Sequence, residues 1–186
     1  MFEWFMRKYR FETERLFIKD MTRQDCDEVA NIWGNVEVGK YLADPYYKNG
    51  DEIRNCFKNG ELNKSEDWTD DFYFVLLCRV NKKIIGTACT RKMDEEVWGI
   101  GYTFKKECWG QGLATELISG LEKFVSSKGG KYLSADVAEE NIGSLKACYN
   151  NGFSDYRQIT FNKFGTDIVY DGLELRKKLS ARLWGR

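Results

Sequence analysis

The chain of 186 residues contains no histidine, and that one gap removes several kinds of chemistry. Ser-His-Asp and Cys-His catalysis need an imidazole to carry the proton, so any general base must be a carboxylate, a tyrosine, a lysine, a thiolate or a relayed water. Zinc loses a usual ligand, and the six cysteines, at 26, 56, 78, 89, 108 and 148, form no Cys-x-x-Cys pair to replace it, so no metal is expected. Proline occurs once, at Pro45, and no linker, repeat or low-complexity stretch divides the chain. An excess of charge is missing too: 29 basic residues face 29 acidic ones, and nothing suggests a grip on nucleic acid or an anionic membrane. No apolar run approaches the ~20 residues of a membrane span, and Met1 to Glu12 mixes aromatics with charges rather than forming a signal-peptide pattern. These absences lead to the expectation of one domain over residues 1–186, reduced and cytoplasmic, monomeric or homodimeric. The basic end, Arg176-Lys177-Lys178 through Arg182 and Arg186, reads as a solvated tail.

What is present is a regular alternation of elements. Arg15 to Asp20 reads as a strand, and Cys26, Val29, Ala30 and Trp33 mark one face of a helix. A second helical stretch is expected between Asp51 and Asn63, followed by a polar loop, Lys64 to Asp71. Phe72 to Val80 and Ile84 to Arg91 form two strands across Asn81-Lys82-Lys83, and Val97 to Phe104 continues the meander. Then come a helix from Leu113, a strand Tyr132 to Ala138, a helix Ile142 to Asn151, and a hairpin of Tyr156 to Asn162 with Ile168 to Leu175. The fold class expected is α/β of the α+β kind, a mixed and mostly antiparallel sheet flanked by helices.

One stretch stands out chemically. Cys108-Trp109-Gly110-Gln111-Gly112-Leu113-Ala114-Thr115-Glu116 joins the strand ending at Phe104 to an amphipathic helix whose apolar face is Leu113, Leu117, Ile118, Leu121, Phe124 and Val125. A helix N-terminus offers unpaired N–H groups and the positive end of the macrodipole, so a phosphate can settle there. Gly110, Gly112 and Ala114 let it come close. The alternative is a connection that is glycine-rich only for packing. Other nucleotide motifs fit poorly: there is no Gly-x-x-x-x-Gly-Lys-Ser/Thr, a Rossmann turn would want glycine where Thr115 stands, and a kinase-type loop would lead into a strand.

These residues carry a family resemblance. Trp109-Gly110-Gln111-Gly112-Leu113-Ala114 resembles motif A of the GNAT acyltransferases, Gln/Arg-x-x-Gly-x-Gly/Ala, with Trp109 departing from the first position as it does in the branch that acetylates ribosomal-protein N-termini. Asn141-Ile-Gly-Ser144 through Cys148-Tyr149 to Gly152-Phe153 resembles the family's second helix, and Thr13-Glu14-Arg15-Leu16 resembles the opening of that branch. The resemblance implies a GNAT fold and acetyl-CoA as co-substrate. It implies that Trp109, Gly110, Gln111, Gly112, Leu113, Ala114 and Thr115 surround the pyrophosphate and that Asn141 and Ser144 lie beside the pantetheine arm. A backbone N–H of the Gly101–Phe104 stretch, which includes Tyr102 and Phe104, would meet the thioester oxygen. Asn141 and Gly152 are also an ordinary N-cap and helix stop.

The implied reaction is aminolysis of a thioester, and the amine must lose a proton to attack. An alkyl ammonium has a reference pKa of ~10.4 and a peptide α-amine one near ~7.7 to 8.0. Strand alternation puts Leu133, Ala135 and Val137 on one face and Ser134 and Asp136 on the other, which makes Asp136 the candidate base; its alternative is a charge on a wetted sheet face. A base position that the family uses on the strand before motif A is Gly99 here. Many relatives carry a tyrosine acid seven residues after the motif asparagine, where this chain has Cys148, with Tyr149 one residue later. Asn141, Ser144 and Cys148 share a helix face from which Tyr149 is rotated by ~100°. Trp33, Tyr41, Tyr46, Tyr47 and Trp68 lie in the segment that forms the acceptor side in relatives, as an aromatic wall or as core and rim. The acceptor expected is a small-molecule amine or a protein N-terminus. A non-catalytic acyl-CoA-binding or sensor module is the alternative.

Overall fold

A computed structural model describes residues 9–58 and 71–180. The expected helix end at 59–63, most of the polar loop with Trp68, and Arg182 and Arg186 lie outside the described residues. Eight strands form one sheet: β1 (Phe11–Glu12), β2 (Leu16–Asp20), β3 (Asp71–Cys78), β4 (Ile84–Lys92), β5 (Val97–Phe104), β6 (Tyr132–Ala138), β7 (Ser154–Asn162) and β8 (Val169–Lys178). Their order is β1-β2-β3-β4-β5-β6-β8-β7, and every junction is antiparallel except β5 with β6. Among the described residues four α-helices flank it: α1 (Cys26–Trp33), α2 (Gly50–Lys58), α3 (Leu113–Ser127) and α4 (Ile142–Asn150).

Each face of the sheet buries what its alternation presents. Phe72, Phe74 and Leu76 of β3 meet Leu117, Leu121, Phe124 and Val125 of α3 in one core, to which α4 adds Ala147 and Cys148. On the opposite face Val75 meets Val29, Ile32 and Trp33 of α1 and Ile53 of α2. A parallel pair needs a crossover, and α3 is that crossover between β5 and β6. β1 and the chain after it sit directly on α3: a Cβ at Gly120 would come within 2.9 Å of both the Phe11 ring and the Thr13 methyl, so a larger residue would have to displace both.

Two expectations need correcting. Arg176, Lys177 and Lys178 are not a tail but the end of β8, where Arg176 pairs with Glu174 at 2.7 Å and Lys177 with Glu122 at 2.5 Å. The face shared by Ser134 and Asp136 is wetted only in part: Asp136 is exposed, whereas Ser134 is buried against Glu174 of β8. The short β1 was not anticipated, since two residues are too few to show alternation.

The parting of β5 and β6 positions the site. They pair only over Val97–Gly99 with Tyr132–Ser134, although β5 runs to Phe104 and β6 to Ala138. Beyond that register the strands diverge toward their C-terminal ends, leaving a wedge where α3 and α4 begin. Alternate backbone groups of Ile100–Phe104 turn toward this wedge with no strand opposite.

Candidate active site

At the head of the wedge, Gly110 and Gly112 both adopt left-handed backbone angles, φ 71° and 74°, which other L-residues occupy at a cost. A Cβ on Gly110 would meet nothing within 4 Å, so the turn is open on that side. The first bond of the turn into α3 runs from Glu116 N–H to Gly112 O at 3.1 Å, so the amides before Glu116 precede the helix's own ladder. The flanking side chains fold back on the turn. Trp109 Nε1 donates to Phe104 O at 2.8 Å and Gln111 Nε2 to Glu107 O at 2.8 Å. Leu113 is buried, Ala114 packs against the core, and Thr115 O accepts from Asn151 Nδ2 at 3.1 Å. What the turn presents to a ligand is therefore backbone, which suits a pyrophosphate.

Spacing alone did not single out Arg15. Its Nη1 donates to Gln111 O at 2.8 Å, and its Nε and backbone N–H donate to the two Glu116 carboxylate oxygens at 2.6 and 2.7 Å. Thr13 Oγ1 adds a further bond to Glu116 at 2.5 Å. Burial pushes the Glu116 carboxyl up, but these donors outweigh it and hold the group below its ordinary value. Nothing in a linear pattern announces a contact between residues 101 positions apart.

Along the α4 flank, Asn141 Oδ1 accepts the Ser144 N–H at 3.2 Å and caps the helix. Ser144 Oγ shares a hydrogen bond of 2.9 Å with the Tyr102 hydroxyl, so this phenol spans from β5 to α4. Cys148 lies beside both and has no exposed surface; burial pushes its thiol up to about 11, against hydrogen bonds from Tyr102 and Ser144. Burial also pushes the Tyr102 phenol far above its ordinary value, with the Cys148 charge a lesser cause. Both groups therefore stay protonated near neutrality. Tyr149 turns elsewhere: it is exposed, its hydroxyl donates to Asp155 Oδ1 at 2.7 Å, and that bond raises its pKa. Phe104 is buried, with its carbonyl taken by Trp109.

On the opposite sheet face, Gly99 and Gly101 bring no side chain of their own, and Met93 and Cys89 close over them. A Cβ at Gly99 would come within 3.0 Å of Met93 Sδ and one at Gly101 within 3.0 Å of Cys89 Sγ. Asp136 lies next to this surface in register with Glu174 of β8. Solvent reaches Asp136, yet its surroundings crowd it. Desolvation and then the Glu174 charge raise its pKa, with Arg157 and Arg176 pulling against them. Glu174, only 1% exposed, accepts from Ser134 Oγ at 3.0 Å, Arg157 Nε at 2.5 Å and Arg176 Nε at 2.7 Å. Burial raises the Glu174 pKa, but these bonds win and hold it low. A permanent negative charge thus stands beside Asp136 and favours a proton on it.

The loop between α1 and α2 forms a strap over this region. Lys163, just past β7, has no exposed surface, and its ammonium donates to the carbonyls of Gly39, Leu42 and Asp44 at 2.8, 3.0 and 2.6 Å. It also sits 4.1 Å from the centre of the Tyr46 ring. Phe164 N–H donates to Ala43 O at 2.7 Å, and the Tyr170 hydroxyl donates to Lys40 O. At its other edge the strap meets the β6–α4 loop, where Tyr41 OH lies 3.4 Å from both Glu140 O and Oε2. Desolvation raises the Asp44 pKa against the pull of Lys163 and Arg91. The Asp44 charge helps to push Cys89 to about 11, after burial. Trp33 and Tyr47 are packing groups, with rings 5.5 Å apart and Trp33 Nε1 bonded to Thr87 Oγ1 at 2.9 Å.

The open glycine turn stands at the head of a wedge between parting parallel strands, an arrangement that suits a phosphate-bearing acyl donor. The family model for the acetyltransferase (GNAT) domain matches residues 15–154, and the chain belongs to that family of acyl-CoA-dependent N-acetyltransferases. A similar curated protein, the uncharacterized N-acetyltransferase p20 of Bacillus licheniformis, is 26% identical over 144 residues, which cover 72% of this chain and 76% of that one. Among solved structures, the spermidine N-acetyltransferase of Vibrio cholerae in complex with CoA and spermine matches with a TM-score of 0.76 at 17% identity, over 90% of this chain and 97% of its own. A GNAT-family acetyltransferase from Bacillus anthracis matches with a TM-score of 0.73 at 18% identity, over 90% of this chain and 96% of its own. At such identities these two are likenesses of fold.

Proposed function

We propose that the protein transfers the acetyl group of acetyl-CoA to a primary amine by direct attack on the thioester. The observation that carries this is the parting of β5 and β6 beside an open turn of glycine amides. Acetyl-CoA supplies the activated acyl group. The turn from Gly110 to Thr115 holds the pyrophosphate through backbone N–H groups, and Asn141, Ser144 and Tyr102 line the pantetheine path. An outward N–H of the Ile100–Phe104 stretch faces the thioester oxygen and stabilises the charge that develops there.

The attacking nitrogen must arrive uncharged. Asp136 takes its proton, directly or through one water, and its raised pKa brings it closer to the amine's. As the new amide C–N bond forms and the C–S bond breaks, the nitrogen gives up its second proton to solvent and the sulfur leaves as a thiolate. Tyr102 is well placed to donate a hydrogen bond to that thiolate, but its high pKa keeps the phenol's own proton, so the sulfur's proton comes from water. The strap anchored by Lys163 forms the acceptor wall, with Asp44 and Tyr41 on it.

The acceptor is a small-molecule amine or a protein N-terminal α-amine. The spermine bound to the Vibrio cholerae enzyme supports the former, and the opening Thr13–Leu16 supports nearness to the ribosomal-protein N-terminal branch. Six free cysteines suit a reducing, cytoplasmic setting. The test is thiol release from acetyl-CoA over a panel of amines, peptide N-termini and aminoglycosides. Amine-dependent release with an acetylated product supports the reading. Saturable acetyl-CoA binding without release over any acceptor would make the chain a non-catalytic binding module.

A further inference from the structure

The helix that receives the pyrophosphate carries a carboxylate, Glu116, in its first turn. An acidic residue there suits the helix dipole, but it competes with a phosphate for the same positive end. Left alone, Glu116 would repel the ligand that the turn is built to hold. Here it is not alone: its side chain is 15% exposed and each of its oxygens takes a bond from Arg15, with Thr13 adding a third bond.

The same guanidinium reaches the turn itself. Nη1 binds the Gln111 carbonyl at 2.8 Å, which fixes the peptide between Gln111 and Gly112. Nη2 lies 3.7 Å from where a Cβ on Gly112 would stand. Arg15 is carried there rigidly, since the segment that leads to it is seated against Gly120 of α3. Meanwhile the motif position that in relatives carries Gln or Arg holds Trp109 here, whose polar atom is spent on Phe104 O. The turn's own sequence brings no cation.

We propose that Arg15 is the cation of the pyrophosphate site, a positioning residue that neutralises Glu116 and orients the Gln111–Gly112 peptide so that a phosphate-bearing acyl carrier meets a net positive turn. The proposal rests on the acetyltransferase reading above, and it concerns only the nucleotide end of the donor. A donor without phosphates gains nothing from Arg15.

The experiment compares acetyl-CoA with S-acetylpantetheine, which lacks the pyrophosphate. Wild type, Arg15→Met, Arg15→Lys, Glu116→Gln and the double variant Arg15→Met with Glu116→Gln are measured by calorimetry for acetyl-CoA and by kcat/KM with both donors. Arg15→Met exposes one carboxylate and removes one cation, and it weakens acetyl-CoA about tenfold or more. Its kcat/KM with S-acetylpantetheine stays within about twofold of wild type. Adding Glu116→Gln to Arg15→Met recovers most of the lost affinity, and Arg15→Lys falls between wild type and Arg15→Met. Glu116→Gln alone binds acetyl-CoA at least as tightly as wild type.

Equal losses with both donors would make Arg15 a support of the fold and overturn the proposal. So would undiminished acetyl-CoA affinity in Arg15→Met, no recovery in the double variant, or weakened binding in Glu116→Gln alone. A wild-type protein that turned over neither donor would instead overturn the acetyltransferase reading, and this proposal with it.

Discussion

The turn before α3 and the strap between α1 and α2 lie at the same wedge, yet they are held in shape by different means. The turn keeps its form mainly through its own residues: two left-handed glycines, a helix that starts at Leu113, and side chains that bond to neighbouring carbonyls, with Arg15 added from a distance. The strap has local turns, such as Gly39 N–H to Asn35 O at 2.7 Å and Leu42 N–H to Gly39 O at 3.1 Å, but its carbonyls are fastened by Lys163, which lies 124 positions from Gly39. A ligand shared by every member of a family can be met by backbone, which no side-chain substitution removes. An acceptor that differs between relatives is met by a loop whose fastening is remote from its surface.

That contrast can be broken at either end. The largest effect belongs to Gly112→Asp, which forces a non-glycine residue to φ 74° and adds a charge against the pyrophosphate. Acetyl-CoA affinity should drop ~10³-fold, about 4 kcal/mol. Calorimetry on the folded variant decides, and near wild-type affinity would remove the turn from the site.

Lys163→Met tests the other end. It leaves three carbonyls, one in a buried bond and two in part-buried ones, without their donor, for a loss of about 3 kcal/mol in unfolding free energy at most, counting ~1 kcal/mol for each. The acceptor KM should rise while acetyl-CoA affinity stays put. Donor affinity falling in parallel would mean that the two regions are not independent.

Asp136→Asn sharpens the contrast at the chemistry between them. Turnover should fall by ~10²-fold with acetyl-CoA binding unchanged. The base works unprotonated, and desolvation with the Glu174 charge raises its pKa, so activity is lost on acidification at a pH above the ordinary aspartate value of ~3.9. A pH–rate profile of Asp136→Asn should lack that limb; an unaltered limb would assign it to another group.

The smallest effects separate the residues along the α4 flank, Tyr102 of β5 among them. Tyr102→Phe removes the hydroxyl that meets Ser144, worth ~0.5 to 1.5 kcal/mol. Tyr149→Phe should change turnover by less than about twofold, since its hydroxyl serves Asp155 at the surface. Cys148→Ala should act through packing and lower stability more than rate. A large loss of kcat confined to Tyr149→Phe would show that this phenol swings into the wedge.

The same division governs what could be read from the chain. Val97–Phe104 and Tyr132–Ala138 were delimited correctly because strong apolar runs end at turn residues. The glycine turn into α3 was legible because its left-handed positions and the helix start lie in consecutive residues. Lys163 was not: in Asn162-Lys163-Phe164-Gly165 it looks like the polar tip of a hairpin, and only the folded strap shows its burial. Glu174 and Arg176 left a faint signal, two opposite charges spaced by two on β8, in register with Asp136 and Ser134 of β6. Arg15 stood inside a recognised segment, but its partner could not be named until α3 lay beside it.

The strap's fastening has a further property. Gly39, Lys40, Leu42, Ala43 and Asp44 are all gripped by their carbonyl oxygens, from Lys163, Tyr170 and the Phe164 amide. A carbonyl is the one acceptor that every amino acid brings. Mutation can therefore rewrite the side chains at Lys40, Tyr41 and Ala43 without loosening the grip, and the wall that meets the acceptor is free to drift between lineages while its mooring is inherited whole.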